Sequence, residues 1–179
     1  MTLTRSLLTI LIPGLIAIAP WLLVLVQHTT ATLGFNSYPT LANALIFASA
    51  AVVGSFCEGA GTHLEVQWDK EREATYGVKE NWWVYLSRTF DNEPVGYRYI
   101  SRLVTTLYFE LSMLFAVPSF LFGSGLLASL RFPDFWVPIA IVSLASSVGS
   151  ALYLHKQASD THCVLCETRQ ELNQRTAAS

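Results

Sequence analysis

The chain predicts an all-α integral membrane protein with four transmembrane helices, and three observations lead there. Four apolar stretches, Leu7–Val26, Leu41–Cys57, Leu103–Leu130 and Phe135–Leu154, approach the ~20 residues with which a helix crosses a ~30 Å hydrocarbon core. With 52% hydrophobic and 13% charged residues and a mean hydropathy of +0.40, the 179 residues are too apolar for a soluble domain of this size. The basic residues are also segregated. The segments between spans hold Arg5; then none; then Lys70, Arg72, Lys79, Arg88, Arg98 and Arg102; then Arg131 alone; then Lys156, Arg169 and Arg175. Read as alternating sides, all but Arg131 share one side, so the positive-inside rule places both termini and the long middle segment in the cytoplasm, with the chain in the cytoplasmic (plasma) membrane.

Span one carries Pro13-Gly14 and Pro20 on one helical face, which favours a bend. Its apolar run is nearer ~20 residues than the ~7–15 of a secretory signal, so it is expected to remain as a span despite the small residues Thr29-Thr30-Ala31. Gln27–Thr40 has no charge and carries Gly34, Asn36 and Pro39, as an irregular crossover does. Span two has no stop at its inner boundary. Gly54, Glu58, Gly61, Glu65, Asp69 and Arg72 continue the helical spacing until Gly77 offers a C-terminal cap.

Val78, Trp82, Leu86 and Phe90 then recur every fourth residue, the pattern of a short amphipathic interfacial helix, and Trp82, Trp83 and Tyr85 suit a headgroup region. Asp91-Asn92-Glu93-Pro94 reads as a helix cap that starts the third helix well before its span. Pro118 should bend that helix, and Phe132-Pro133-Asp134 should turn the chain into span four, whose Ser143, Ser146, Ser147, Gly149 and Ser150 permit close helix approach. The expected organisation is a four-helix transmembrane bundle over residues 1–157 with a cytoplasmic insertion at 62–101, followed by a cytoplasmic tail at 158–179.

A net charge of −2 offers no basic excess, so nucleic acid is not expected as a direct ligand. The three cysteines fall on the reducing side, and no disulfide framework is implied. There is no Gly-rich phosphate loop, no G-x-S-x-G and no H-E-x-x-H. The candidate residues are of three kinds. Glu110 is the only ionisable residue inside the third apolar run; counted from Arg102 at the interface it lies ~12 Å deep, where it must be protonated, paired or facing water. Its structural alternative is a hydrogen bond to a serine of span four or to Asn43. Glu58, Glu65 and Asp69 form an acidic stripe near the inner interface, which Arg98 and Arg102 could neutralise as counter-charges or which, with His63, could hold a divalent ion. Cys163 and Cys166, with His155 and His162, are a candidate zinc set; reduced cysteines in a mobile tail are the alternative.

The leading expectation is a homo-oligomeric membrane assembly, pore-forming or acting as a membrane effector, with no cofactor other than zinc. One rival is an inner-leaflet membrane enzyme using the carboxylate, His and Cys residues around a metal. Another is an accessory subunit that binds a cytoplasmic protein partner through the segment between Glu65 and Arg102.

Overall fold

The computed structural model describes residues 7–28, 38–87 and 95–177, and these are almost entirely helical. A π-helical turn at Leu7–Leu11 leads into α1 (Ile12–His28). It is followed by α2 (Pro39–Tyr76), α3 (Val78–Ser87), α4 (Val95–Arg131), a 3₁₀ turn at Pro133–Phe135, and α5 (Trp136–Ala177). Among the described residues, four helical segments are long and apolar enough to cross a membrane.

Local chemistry sets the boundaries. Pro39 opens α2, where its missing N–H costs nothing. Gly77, at φ 55° and ψ 46°, closes α2 in the left-handed conformation, and its N–H donates to the Glu73 carbonyl at 2.9 Å. The Glu73 carboxylate accepts from the Lys79 backbone N–H at 2.9 Å, satisfying an open donor of α3's first turn. The expected stop at Gly77 and a helix beyond it are both present, although Phe90 and the cap at 91–94 lie outside the described residues, as do the side chains of Trp83, Tyr85, Leu86 and Arg98. At the other end of α4, the Phe135 N–H donates to the Phe132 carbonyl at 3.0 Å and closes the tight turn expected there.

Residues 158–177, expected as a tail, are helical. No glycine or proline lies between Ser150 and Ala177, so nothing interrupts the backbone ladder, and α5 runs unbroken through His155, His162 and both tail cysteines. With 38, 37 and 42 residues, α2, α4 and α5 span about 57, 55 and 63 Å, well beyond a ~30 Å hydrocarbon core. Their excess length converges on one end, built from the C-terminal part of α2, the N-terminal part of α4 and the C-terminal part of α5. The molecule therefore has an apolar belt and a charged end.

In the belt, α1 packs against α2 and α4, while α5 leans on α4. The contacts are close and small. A Cβ on Gly14 would collide with the Ala50 carbonyl, and one on Gly54 with the Ile10 carbonyl. Serine hydroxyls reach across to helix carbonyls: Ser119 to Ala17 at 3.2 Å, Ser143 to Leu121 at 2.9 Å and Ser147 to Pro118 at 3.2 Å. The outward face of α5 remains open, with Ile141, Leu144, Val148 and Leu152 all exposed. The charged end holds the core. Trp68 of α2, Ile100, Leu107 and Leu111 of α4, and Ala158 and Leu165 of α5 form one buried cluster, with Leu64, Leu103, Val104 and Leu172 packed against it. Ala158, Leu165 and Leu172 recur every seventh residue, so α5 presents a coiled-coil-like seam to its neighbours.

Candidate functional site

The acidic stripe of α2 runs down a face that meets α4 and α5. At its upper end the Gly61 backbone lies against Leu111, close enough that an added Cβ would sit 2.6 Å from the leucine Cβ. One turn on, burial and the neighbouring Asp69 charge push the Glu65 carboxyl above its usual range, opposed by a hydrogen bond with Tyr108 and by the nearby His162 and Arg169. Arg102 is exposed and makes no ion pair with Glu58, Glu65 or Asp69 among the described residues.

The stripe continues into a polar knot between α2 and α5. Asp69 Oδ1 lies 2.8 Å from His162 Nε2. Arg72 Nη1 contacts His162 Nδ1, and its Nη2 donates to the Ser159 carbonyl at 3.1 Å and the Ser159 hydroxyl at 2.8 Å. Because a guanidinium only donates, the Arg72 contact casts His162 Nδ1 as an acceptor and leaves Nε2 to face the Asp69 carboxylate. His162 is 1% exposed, and the opposite charges of Arg72 and Asp69 on its two sides make its burial affordable. Cys166 Sγ lies 3.8 Å from His162 Nδ1, and burial pushes this thiol up to about 11. Trp68 walls the knot: its ring is 5.3 Å from His155 in an edge-on arrangement, 5.7 Å from His162, and 5.8 Å from the Arg72 guanidinium carbon.

The sequence-derived groups are thus redistributed. Asp69, His162 and Cys166 bring donor atoms within 4.8 Å of one another, combining one member of the acidic stripe with two of the Cys/His set. His155 packs on Trp68 instead, and Cys163 turns to Tyr76, whose hydroxyl lies 3.4 Å from its sulfur and donates to Glu167 at 3.3 Å. The Cys163 contact and the Glu167 carboxylate push the Tyr76 phenol up to about 12. His63 is exposed beside Gln67, away from the knot.

A cavity of about 600 Å³ opens beside it, walled by α2, α3 and α4 and by Arg169 of α5. Val66, Val78 and Val104 give it apolar walls, while Glu65, Asp69 and Glu73 face it with Lys70, Lys79 and Arg169. Arg169 stacks over Trp82 at 4.4 Å, and the Asn173 amide donates to the Asn81 carbonyl and side-chain oxygens at 3.0 Å each, pinning α3 as the cavity's outer wall.

Glu110 is 7% exposed and accepts at Oε1 from the Gln157 amide at 2.9 Å; its Oε2 has no hydrogen-bond partner among the described residues. Neither a span-four serine nor Asn43 is its partner. Its partner Gln157 directly follows Lys156, so Glu110 is level with the start of the charged half of α5. Sequence reasoning did not single out Arg72, Trp68, Tyr108 or Gln157 as site residues. Only Arg72 carried a usable signal, as the next member of the stripe.

Comparison with protein-family models, with curated proteins and with solved structures gives no match, so the functional reading rests on the geometry of this chain.

Proposed function

We propose that the chain is a four-span integral membrane protein, with both termini and the charged end in the cytoplasm, that binds an inner-leaflet phospholipid in the 600 Å³ cavity and hydrolyses its phosphodiester: water forms the new phosphorus–oxygen bond and gives its proton to solvent, while the Glu65 carboxyl protonates the oxygen that leaves. The observation that carries this reading is the composition of the cavity wall. Apolar valines meet three carboxylates and three cations, a combination suited to an amphipathic ligand with a phosphate group. Lys70, Lys79 and Arg169 supply charge for the phosphate, and Trp82 suits the headgroup level. Glu65 keeps its proton to higher pH than an exposed carboxyl, as a general acid requires, while Asp69 one turn away supplies the charge that helps to hold that proton.

The test is to reconstitute the protein in phosphatidylethanolamine and phosphatidylglycerol vesicles and follow the lipids by mass spectrometry. Wild type should convert one of these lipids, and Glu65→Gln should still bind it but turn over ~10²–10⁴-fold more slowly. A lipid composition unchanged by wild type would end this reading. For orientation, reporters fused after Ser179 and within 79–91 should act in the cytoplasm, and one near Asn36 outside; an outside-active fusion after Ser179 would reverse it.

A second reading, a homo-oligomeric pore or membrane effector, is favoured by Gly149. A Cβ there would meet nothing within 4 Å, and the residue is exposed beside Ala145 and Ser146 on the outward face of α5. Small outward residues allow another helix to come close in lipid. Gly149→Leu should leave the single-chain fold intact and dissolve such an assembly; a wild-type protein that is monomeric by cross-linking in its native membrane would remove this reading.

A further inference from the structure

We infer that the groove between α4 and α5, at the end of the belt opposite the charged end, holds one acyl chain of an ethanolamine phospholipid whose phosphate meets Arg131 and whose ammonium meets Asp134. The groove has a volume of about 680 Å³ and is almost wholly apolar, walled by Leu121 of α4, Phe132 and Phe135 of the turn, and Pro138, Ile139 and Val142 of α5. The two helices touch at its floor, where a Cβ on Gly125 would collide with the Ser143 hydroxyl. That hydroxyl donates to the Leu121 carbonyl at 2.9 Å, so it is satisfied inside the protein. Phe132, Phe135 and Val142 are each more than half exposed, and the groove opens sideways out of the bundle.

Length and charge choose the occupant. From Leu121 to Arg131 α4 rises about 15 Å, half of a ~30 Å hydrocarbon core and so the depth that an acyl chain fills in one leaflet. Arg131 directly precedes Phe132 and Asp134 directly precedes Phe135, so each aromatic wall at the mouth has a charged neighbour. Both charges are exposed, and among the described residues they form no ion pair with each other. A cation and an anion kept apart at one rim match a headgroup with one phosphate and one ammonium, whereas a headgroup with the phosphate alone would set a second negative charge beside Asp134. A primary ammonium also donates hydrogen bonds to the carboxylate, which a quaternary one cannot. Arg131, the exception in the segregation of basic residues, thereby has a role.

The test places the full-length protein in phosphatidylcholine bilayers doped with a phosphatidylethanolamine or a phosphatidylglycerol probe, each carrying a photoreactive diazirine on one acyl chain, and maps the labelled peptides by mass spectrometry. In wild type the ethanolamine probe should label residues 121–146, and do so more strongly than the glycerol probe. Val142→Trp fills the groove and should remove that labelling, while Leu152→Trp, on the same open face of α5 but away from the groove, should leave it unchanged. Arg131→Gln should weaken labelling by both probes up to about fivefold, and Asp134→Asn should bring the two probes within about twofold of each other, the range of exposed ion pairs. Labelling spread evenly along α5 and insensitive to Val142→Trp would mean ordinary bilayer contact and overturn the site. So would an absence of label at 121–146, as a second copy seated on the groove would give. Equal labelling of wild type by the two probes would overturn the choice of headgroup. The inference rests on the four-span part of the functional reading and is independent of what the cavity at the charged end holds. Label in that cavity falls within residues 62–108, so either site can fail alone, and a wild type that no probe labels anywhere would end the four-span reading together with this site.

Discussion

In the apolar belt, α1 and the turn before it approach α2 through Gly14, Gly54 and Ala50, and α4 is tied to α1 by one serine-to-carbonyl hydrogen bond and to α5 by two. At the charged end, α2 and α4 join α5 through Trp68, Ile100, Leu107, Leu111 and Leu165 around a polar knot. The difference follows from the solvent each half is suited to. Lipid tails are as apolar as leucine, so burying a large side chain between helices gains little there, and close backbone approach and cross-helix hydrogen bonds must hold the contact. In water, removing apolar surface is the main driving force, and the same helices can be held by large side chains. The open outer face of α5 belongs to the first regime and its seven-residue seam to the second.

The sharpest way to break this comparison is a matched pair of truncations on α5. Leu165→Ala, at a fully buried position of the charged end, should lower unfolding stability by about 2–5 kcal/mol in detergent, whereas Leu152→Ala on the open face should change it by no more than about 0.5 kcal/mol. Equal losses in chemical denaturation would show that Leu152 is covered, and the two halves would then be held alike. A smaller effect is expected where the halves meet. Gly61→Ala forces a Cβ against Leu111 and should cost about 1–3 kcal/mol through overpacking, measured in the same titration; an unchanged midpoint would mean that α2 and α4 separate freely at this level.

The smallest effect is set by pH and is confined to the charged end. Since the folded Glu65 pKa is raised, its contribution is fully present below the unfolded carboxyl value and is lost as pH rises through the folded one. Melting curves of wild type should therefore fall relative to those of Glu65→Gln as pH increases, and the two should coincide in acid. A constant gap between them at every pH would assign the difference to packing.

The long helices of the belt, the C-terminal end of α2 and the turn after α4 were legible because each rests on a local signal: a long apolar run, the left-handed Gly77, or the Pro133 turn. The helical course of residues 155–177 was written there too, in the absence of glycine and proline, but its dense charge resembled a solvated tail. The polar knot was not legible as a unit. Asp69 and His162 are 93 residues apart in sequence, and what joins them is the rotation of two long helices about their axes, which no local spacing encodes. Glu110 was legible as a buried carboxyl, but its partner Gln157 was not, because it lies 47 residues away on another helix.

The uninterrupted length of α5 has a mechanical consequence. From Pro138 in its first turn to Ala177 it contains no further proline, and its one glycine, Gly149, lies inside unbroken helix, so this rod of about 63 Å runs continuously between the Pro133 turn and its contact with Asn81. Bending such a rod would strain many backbone hydrogen bonds at once, whereas sliding or rolling it over α4 disturbs only side-chain contacts. A displacement imposed on α5 at His162 is therefore conveyed along the helix to the far turn as rigid-body motion, which makes α5 a lever between the two faces of the molecule.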